Sequence, residues 1–287
     1  MKKKQIFRLL TVLLCGSVLF ASCISEPSTD KYLMTVNVTK SEDVKTRALW
    51  IDHVGQTNEL KAKWAAGEKV IVYDYGEKVG ELTAAASETA STVLSGELES
   101  APSENSALFF FLHSDSFDYT GQDGTLTTIG SKYDYGIGMS QDYTVSGNTI
   151  SVANGISLRS TQAIIKFTLV EKADGTPPIK PTRFVIHDDD ELLCQQVYPI
   201  VLLTPINLGQ LGPGIVLGDL TLDCIGTTNE VYVSLLFFDV FNMVTELPSH
   251  TLTLTADDGT STYTYTKTDV TFLPGNYYEI TVKMTKQ

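Results

Sequence analysis

Histidine, cysteine and arginine are scarce in these 287 residues, and no run keeps a helical period. The four histidines, His53, His113, His187 and His250, stand too far apart for the H-E-x-x-H spacing that places two ligands on one helix face. A G-x-S-x-G elbow, a phosphate-binding P-loop and a C-x-x-C pair are all missing, and Gly136-Ile137-Gly138 lacks the later glycine of a dinucleotide turn. The chain therefore predicts no enzyme, no metal and no cofactor. Basic residues are also short, 21 against 34 acidic ones, for a net charge of −13. That sign opposes the phosphate neutralisation on which nucleic-acid binding depends, and excludes DNA and RNA as partners. The acidic run His187-Asp188-Asp189-Asp190-Glu191 could offer oxygen ligands to calcium, but without the spaced ligands of an EF-hand a solvated turn is favoured.

What is present is threonine, about 35 residues of it, within a chain that is 43% hydrophobic and long enough for one large or two small cored domains. Stiff, branched side chains of this kind fit pleated strands better than helices. From Tyr32 onward short alternating runs are broken by Gly, Asn, Asp and Ser, the pattern of an all-β protein. In the first run Tyr32, Met34, Val36 and Val38 share one face; in the last, Tyr278, Ile280, Val282 and Met284 do the same. Between them, strands are expected over 69–75, 79–83, 91–98, 107–113, 148–152, 162–170, 182–187, 198–203, 230–240, 251–256 and 261–268, with Asp257-Asp258-Gly259 as a hairpin turn. Residues 121–138 read as loops, and the proline-rich stretch 174–181 as a linker or long hairpin loop. Aromatic side chains such as Trp64 are expected in the core, although Trp50, Tyr119 and Tyr133 could instead stack on a sugar.

The N-terminus carries an address. Lys2, Lys3, Lys4 and Arg8 precede an apolar run from Leu9 to Phe20, which has the length of a secretory signal. Ala21-Ser22-Cys23 then resembles a bacterial lipobox, implying cleavage after residue 22 and acylation of Cys23. Several acyl chains on one residue give stable membrane anchoring. With 1–22 removed, 17 basic residues face 34 acidic ones. In the secreted body Cys194 and Cys224 could pair, since the compartment permits disulfides.

Three segments resemble the fimbrillin-like proteins, lipoprotein pilins of Gram-negative anaerobes. Trp64-Ala65-Ala66-Gly67-Glu68-Lys69-Val70-Ile71-Val72-Tyr73 is similar to their W-x-x-G-D/E-x-I/V-x-V-Y segment. The run from Leu158 to Phe167 resembles the strand that opens their second domain, with Ser160 where His is frequent, and the run from Leu273 to Val282 resembles their closing strand. The resemblance implies two tandem transthyretin-like, Greek-key β-sandwich domains after a lipoprotein signal peptide. Its boundaries here would be 1–22 for the signal, 23–47 for a propeptide containing the first strand, 48–155 for the N-terminal domain and 156–287 for the C-terminal domain.

It also implies a route to assembly. An Arg-specific or trypsin-like protease would cut between Arg47 and Ala48, release the lipid anchor with the first strand, and open a groove for a strand of another fimbrial subunit, of the same or another kind. Arg159 and Arg183 lie at or beside expected strands, which leaves Arg47 as the accessible arginine. Burial of Tyr32, Met34, Val36 and Val38 is worth on the order of 6–12 kcal/mol gross, at ~1.5–3 per side chain. A whole domain nets only ~5–15 kcal/mol, so an emptied groove strongly favours a replacement strand. The expected setting is the outer membrane and cell surface, with adhesion as the role and the receptor unnamed. Since only Lys286 and Gln287 follow the last strand, that strand is either the donor or a fixed part of its own domain. Two other readings stand beside this one: an uncleaved basal anchor of a pilus, and a monomeric glycan-binding lipoprotein.

Overall fold

A computed structural model describes residues 31–40, 60, 62–85, 89–173, 176–198, 214–238 and 249–287. Cys23, Arg47, Ala48 and Trp50 lie outside the described residues, as do 199–203 of the strand expected over 198–203. Residues 31–287 group as one compact unit, and no described helix is long and apolar enough to cross a membrane.

The protein is all-β. The first sheet uses β1 (Tyr32–Lys40), β2 (Lys69–Asp74), β3 (Glu77–Ala84), β4 (Ser91–Leu98) and β5 (Leu108–Leu112). Its other members are β7 (Gly136–Ser140), β8 (Tyr143–Ser146), β9 (Thr149–Val152) and β10 (Ile156–Ser160), while the two-residue β6 (Phe117–Asp118) belongs elsewhere. The order is β10-β7-β5-β2-β3-β4-β1-β9-β8, and a further pairing of β10 with β1 closes the sheet on itself. Closure encloses a core in which Met34, Val36 and Val38 meet Trp64, Val70, Val72, Leu82, Leu94, Phe110 and Leu158, and leaves β8 as the edge of a branch through β9. Trp64 is 1% exposed, a core residue as expected.

The second sheet follows with β11 (Ala163–Glu171), β12 (Arg183–Asp188), β15 (Leu220–Asp223), β16 (Glu230–Leu235), β17 (His250–Asp257), β18 (Thr262–Val270) and β19 (Tyr277–Lys286). Its order is β15-β12-β17-β18-β19-β11-β16. Only Tyr263 with Lys286 and Thr264 with Thr285 join β18 to β19, so the sheet turns a corner there. Phe167 and Phe184, from opposite sides of that corner, meet with ring centroids 5.5 Å apart. Strict alternation along β17, whose Leu252, Leu254 and Ala256 are buried, follows from its period of two. The expected hairpin turn joins β17 to β18: Gly259 adopts φ +85, and the Asp258 carboxylate accepts from the backbone N–H groups of Thr260 and Ser261. Those bonds, with that from the Thr260 hydroxyl, hold the Asp258 carboxyl down at about 2.

A third, three-stranded sheet crosses between the two. It orders β14 (Ile215–Leu217), β13 (Cys194–Val197) and β6, so residues before β7 pair with residues after β12. The stretch 121–138, expected to be loops, instead contains a short helical turn α1 (Leu126–Thr128), a π-type turn over 129–133 and the start of β7. Thr125 caps α1 through its hydroxyl, and Asp123 accepts from Thr125 and Thr128. These are local bonds of short polar side chains, without hydrophobic periodicity to announce them. The proline-rich stretch joins β11 to β12 within the second sheet, with Val170 bridging Pro178.

The possible disulfide is not formed. Cys194 is buried in β13 and Cys224 follows β15, with no bond between them. The Cys224 sulfur sits against Gly124, where an added Cβ would come within 3.1 Å of it. Burial pushes this thiol up to about 12, aided by Asp123 and Asp223, so it stays protonated and a poor nucleophile at neutral pH.

Candidate functional site

The sequence singles out the first strand, and the structure gives it partners on both sides. Along one edge β1 pairs antiparallel with β4 over eight residue pairs, from Tyr32 with Leu98 to Thr39 with Ser91. Along the other it pairs in parallel with β9 through Leu33–Thr35 and with β10 through Val38–Lys40. Met34, Val36 and Val38 are at most 2% exposed, and Tyr32 packs against the same core from its rim. Removing β1 therefore uncovers a slot with unpaired backbone on both walls and an apolar floor. Gly155, between β9 and β10, makes the close approach possible. Its φ is +69, and a Cβ there would lie 2.8 Å from the Asn37 carbonyl of β1.

The end of this slot is charged. Lys40 closes β1 with its side chain 5% exposed, and its Nζ lies 2.8 Å from Glu68 Oε1 and 3.9 Å from Asp134 Oδ2. It donates to the Lys63 carbonyl at 3.1 Å and stands 4.7 Å over the Trp64 ring. Glu68 Oε2 accepts from the backbone N–H of Ala65, and Asp134 Oδ1 accepts from Gln162 at 3.3 Å. His113 Nε2 is 3.2 Å from the same Glu68 oxygen that binds Lys40. Burial lowers the His113 pKa; Glu68 opposes that shift and Lys40 adds to it. Burial raises the Asp134 carboxyl, with Lys40 pulling it back. Charges taken out of water need partners, and here one ammonium serves two carboxylates. The resemblance to the W-x-x-G-D/E segment had pointed at Glu68 only as part of a pattern. The pairing of Lys40 with Glu68 and with Asp134 depends on contacts across 28 and 94 positions that no local spacing reveals.

The closing strand lies inside its own sheet. β19 runs parallel to β11 over eight pairs, from Ile164 with Tyr277 to Glu171 with Met284, and Tyr278, Ile280, Val282 and Met284 are all buried. Arg159 and Arg183 fall within β10 and β12.

Other chemistry expected or weighed from sequence resolves into packing. Tyr119 and Tyr133 are 1% and 7% exposed, buried between the sheets, so neither offers a face to a sugar. Asp188, Asp190 and His250 bring possible ligand atoms within 4.8 Å of one another. Asp188, however, accepts from the backbone N–H groups of Asp190 and Leu192 and pairs with His250 Nδ1 at 3.2 Å, under the stacked ring of Phe237. This is the bonding of a carboxylate that shapes the turn after β12.

No family model matches the chain, and no curated protein sequence does. It is similar in structure to a fimbrial assembly protein from Parabacteroides distasonis ATCC 8503, with a TM-score of 0.42 and 14% identity over 89% of this chain and 92% of that one. A candidate cell adhesion protein from Bacteroides eggerthii DSM 20697 gives 0.41 and 12% over 89% and 86%. A fimbrial protein from Bacteroides ovatus ATCC 8483 gives 0.34 and 9%, covering 90% of this chain and 50% of that one.

Proposed function

We propose that the protein is a fimbrial subunit of a Gram-negative bacterium, exported as an outer-membrane lipoprotein through Cys23. Proteolysis after Arg47 activates it, and it assembles by accepting a strand from another subunit, in the service of cell adhesion. The observation that carries this reading is the placement of β1. It is a first strand wedged between β4 and the β9–β10 pair, and it ends seven residues before the only arginine between it and β2. A strand so placed can leave in one piece once the chain behind it is cut, because its outgoing covalent link is the segment that holds Arg47. The apolar floor it vacates then favours a replacement strand by main-chain pairing and side-chain burial together.

The test is intact mass and N-terminal sequencing of the protein from native cells, comparing the outer-membrane fraction with sheared surface material. An N-terminus at Ala48 in high-molecular-weight sheared material is the expected result. Acylated Cys23 alone, on a monomeric membrane form, would overturn the polymerising subunit and leave a basal anchor. The glycan-binding alternative loses two of its three aromatic platforms to the core.

A further inference from the structure

The acidic end of the β1 slot belongs to parts of the chain that stay behind when β1 leaves. Glu68 immediately precedes β2, and Asp134 follows the π-type turn. Their side chains are 7% and 16% exposed with β1 in place. Ala65 N–H and Gln162 hold them in position from outside the slot. His113, also on this floor, lies 3.2 Å from the same Glu68 oxygen, and its burial lowers its pKa and disfavours the charged ring. Without Lys40 the slot ends on two largely buried carboxylates with no lysine or arginine paired to them among the described residues, and with the imidazole of His113 beside one of them.

Residues 278–286 repeat the pattern of β1. Read from 32 and from 278, YLMTVNVTK and YEITVKMTK agree in Tyr, Thr, Val, Thr and Lys, and each places its lysine two residues after the last core-facing apolar side chain. In its own sheet Lys286 is exposed, 5.9 Å from the Tyr263 ring, and meets no buried carboxylate among the described residues. The fold of the second sheet makes no use of that charge comparable to the use the first makes of Lys40.

We infer that Glu68 and Asp134 form a cation socket that selects the incoming strand, admitting one from another subunit that carries alternate apolar side chains followed two residues later by a lysine. The inference rests on the strand-acceptor reading above and adds to it a rule of identity and register. A strand slipped by one residue turns its apolar row outward, and one slipped by two residues puts an apolar group between the carboxylates. A neutral residue at that place leaves them uncompensated, and an acidic one adds a third negative charge.

The experiment uses the full chain, cut after Arg47 by an arginine-specific protease that is then quenched. Fluorescent peptides of residues 31–40 and 278–287 are added, each as the native sequence and with Lys40→Met or Lys40→Glu, and Lys286→Met or Lys286→Glu. Incorporation and release of the N-terminal fragment are followed together. The native peptides are expected to enter, the methionine forms about thirtyfold or more weakly, and the glutamate forms not at all. In the Glu68→Gln, Asp134→Asn protein the preference for lysine over methionine should fall to within about twofold. Equal entry of lysine and methionine peptides into the unaltered protein would overturn the socket while leaving strand exchange intact. If no peptide enters although the cut is complete, strand exchange and socket fall together.

Discussion

Lys40 is a residue whose removal has two separable consequences. Taking one partner from a buried ion pair leaves the other charged and dry, so Lys40→Met should lower stability by about 3–5 kcal/mol, read as the shift in urea midpoint. Because Lys40 also helps hold the His113 pKa down, the same substitution should raise that pKa, as seen by NMR titration of the ring. A pKa that does not rise would mean the two groups are not coupled as their shared oxygen on Glu68 implies. The sign of the pH dependence follows from the same shift. His113 is harder to protonate folded than unfolded, so below the unfolded value of ~6.5 the unfolded chain binds more protons and stability falls as pH falls. Between pH 7.5 and 5.5 the unaltered protein should therefore lose more stability than His113→Gln. Equal losses would show that the drop comes from other groups.

At the scale of the element, strand identity was legible wherever a run alternates over six or more residues. β1, β17 and β19 were visible because one face of each is apolar and the other polar, and the slot floor formed by Met34, Val36 and Val38 could be named from that alternation. The short strands β6, β13, β14 and β15 were not, since two to four residues carry too little periodicity to separate from a turn. Nor was the closing of the first sheet, which depends on β1 pairing with β9 and then β10 on one edge. Gly155 is where that switch of partners is made, and it gives the prediction proper to this scale. Gly155→Val combines a left-handed φ with a Cβ that meets the Asn37 carbonyl, at a cost of about 1–3 kcal/mol or more. The strain falls on β1 in particular. Limited trypsin digestion should release the N-terminal fragment from Gly155→Val faster than from the unaltered protein, while Gly259→Ala, at the distant hairpin, should release it at the ordinary rate. Equal release from Gly155→Val and the unaltered protein would remove Gly155 from the docking of β1.

Across the whole molecule, the first sheet encloses a core of its own and also contributes to that of the second. Ile71 of β2 and Phe111 of β5 face away from Val70, Val72, Phe110 and Leu112, and they belong to the core cluster of the second sheet. Phe117 stacks on Tyr135 at 4.7 Å and lies 6.4 Å from Phe111, while β6 hydrogen-bonds to β13. An apolar junction of this kind couples the halves more tightly than the polar contacts usual between domains in one chain. The intact chain should therefore unfold in urea as one transition, with fluorescence and far-UV circular dichroism coincident. Phe117→Ala removes a ring from the junction without touching β1 or β19, and should cost about 3–5 kcal/mol. It should also separate the two probes, as the weaker half melts first. The consequence for assembly is directional. If β1 leaves as proposed, the slot in the first sheet is braced from behind by the second through Ile71 and Phe111, and the loss of β1 need not collapse it before another strand enters. The comparison of cut Phe117→Ala with the cut unaltered protein tests that: the junction variant should aggregate or be digested through β2 and β5 before a peptide can enter. If its peptide uptake is unchanged, the second sheet is not what keeps the slot open.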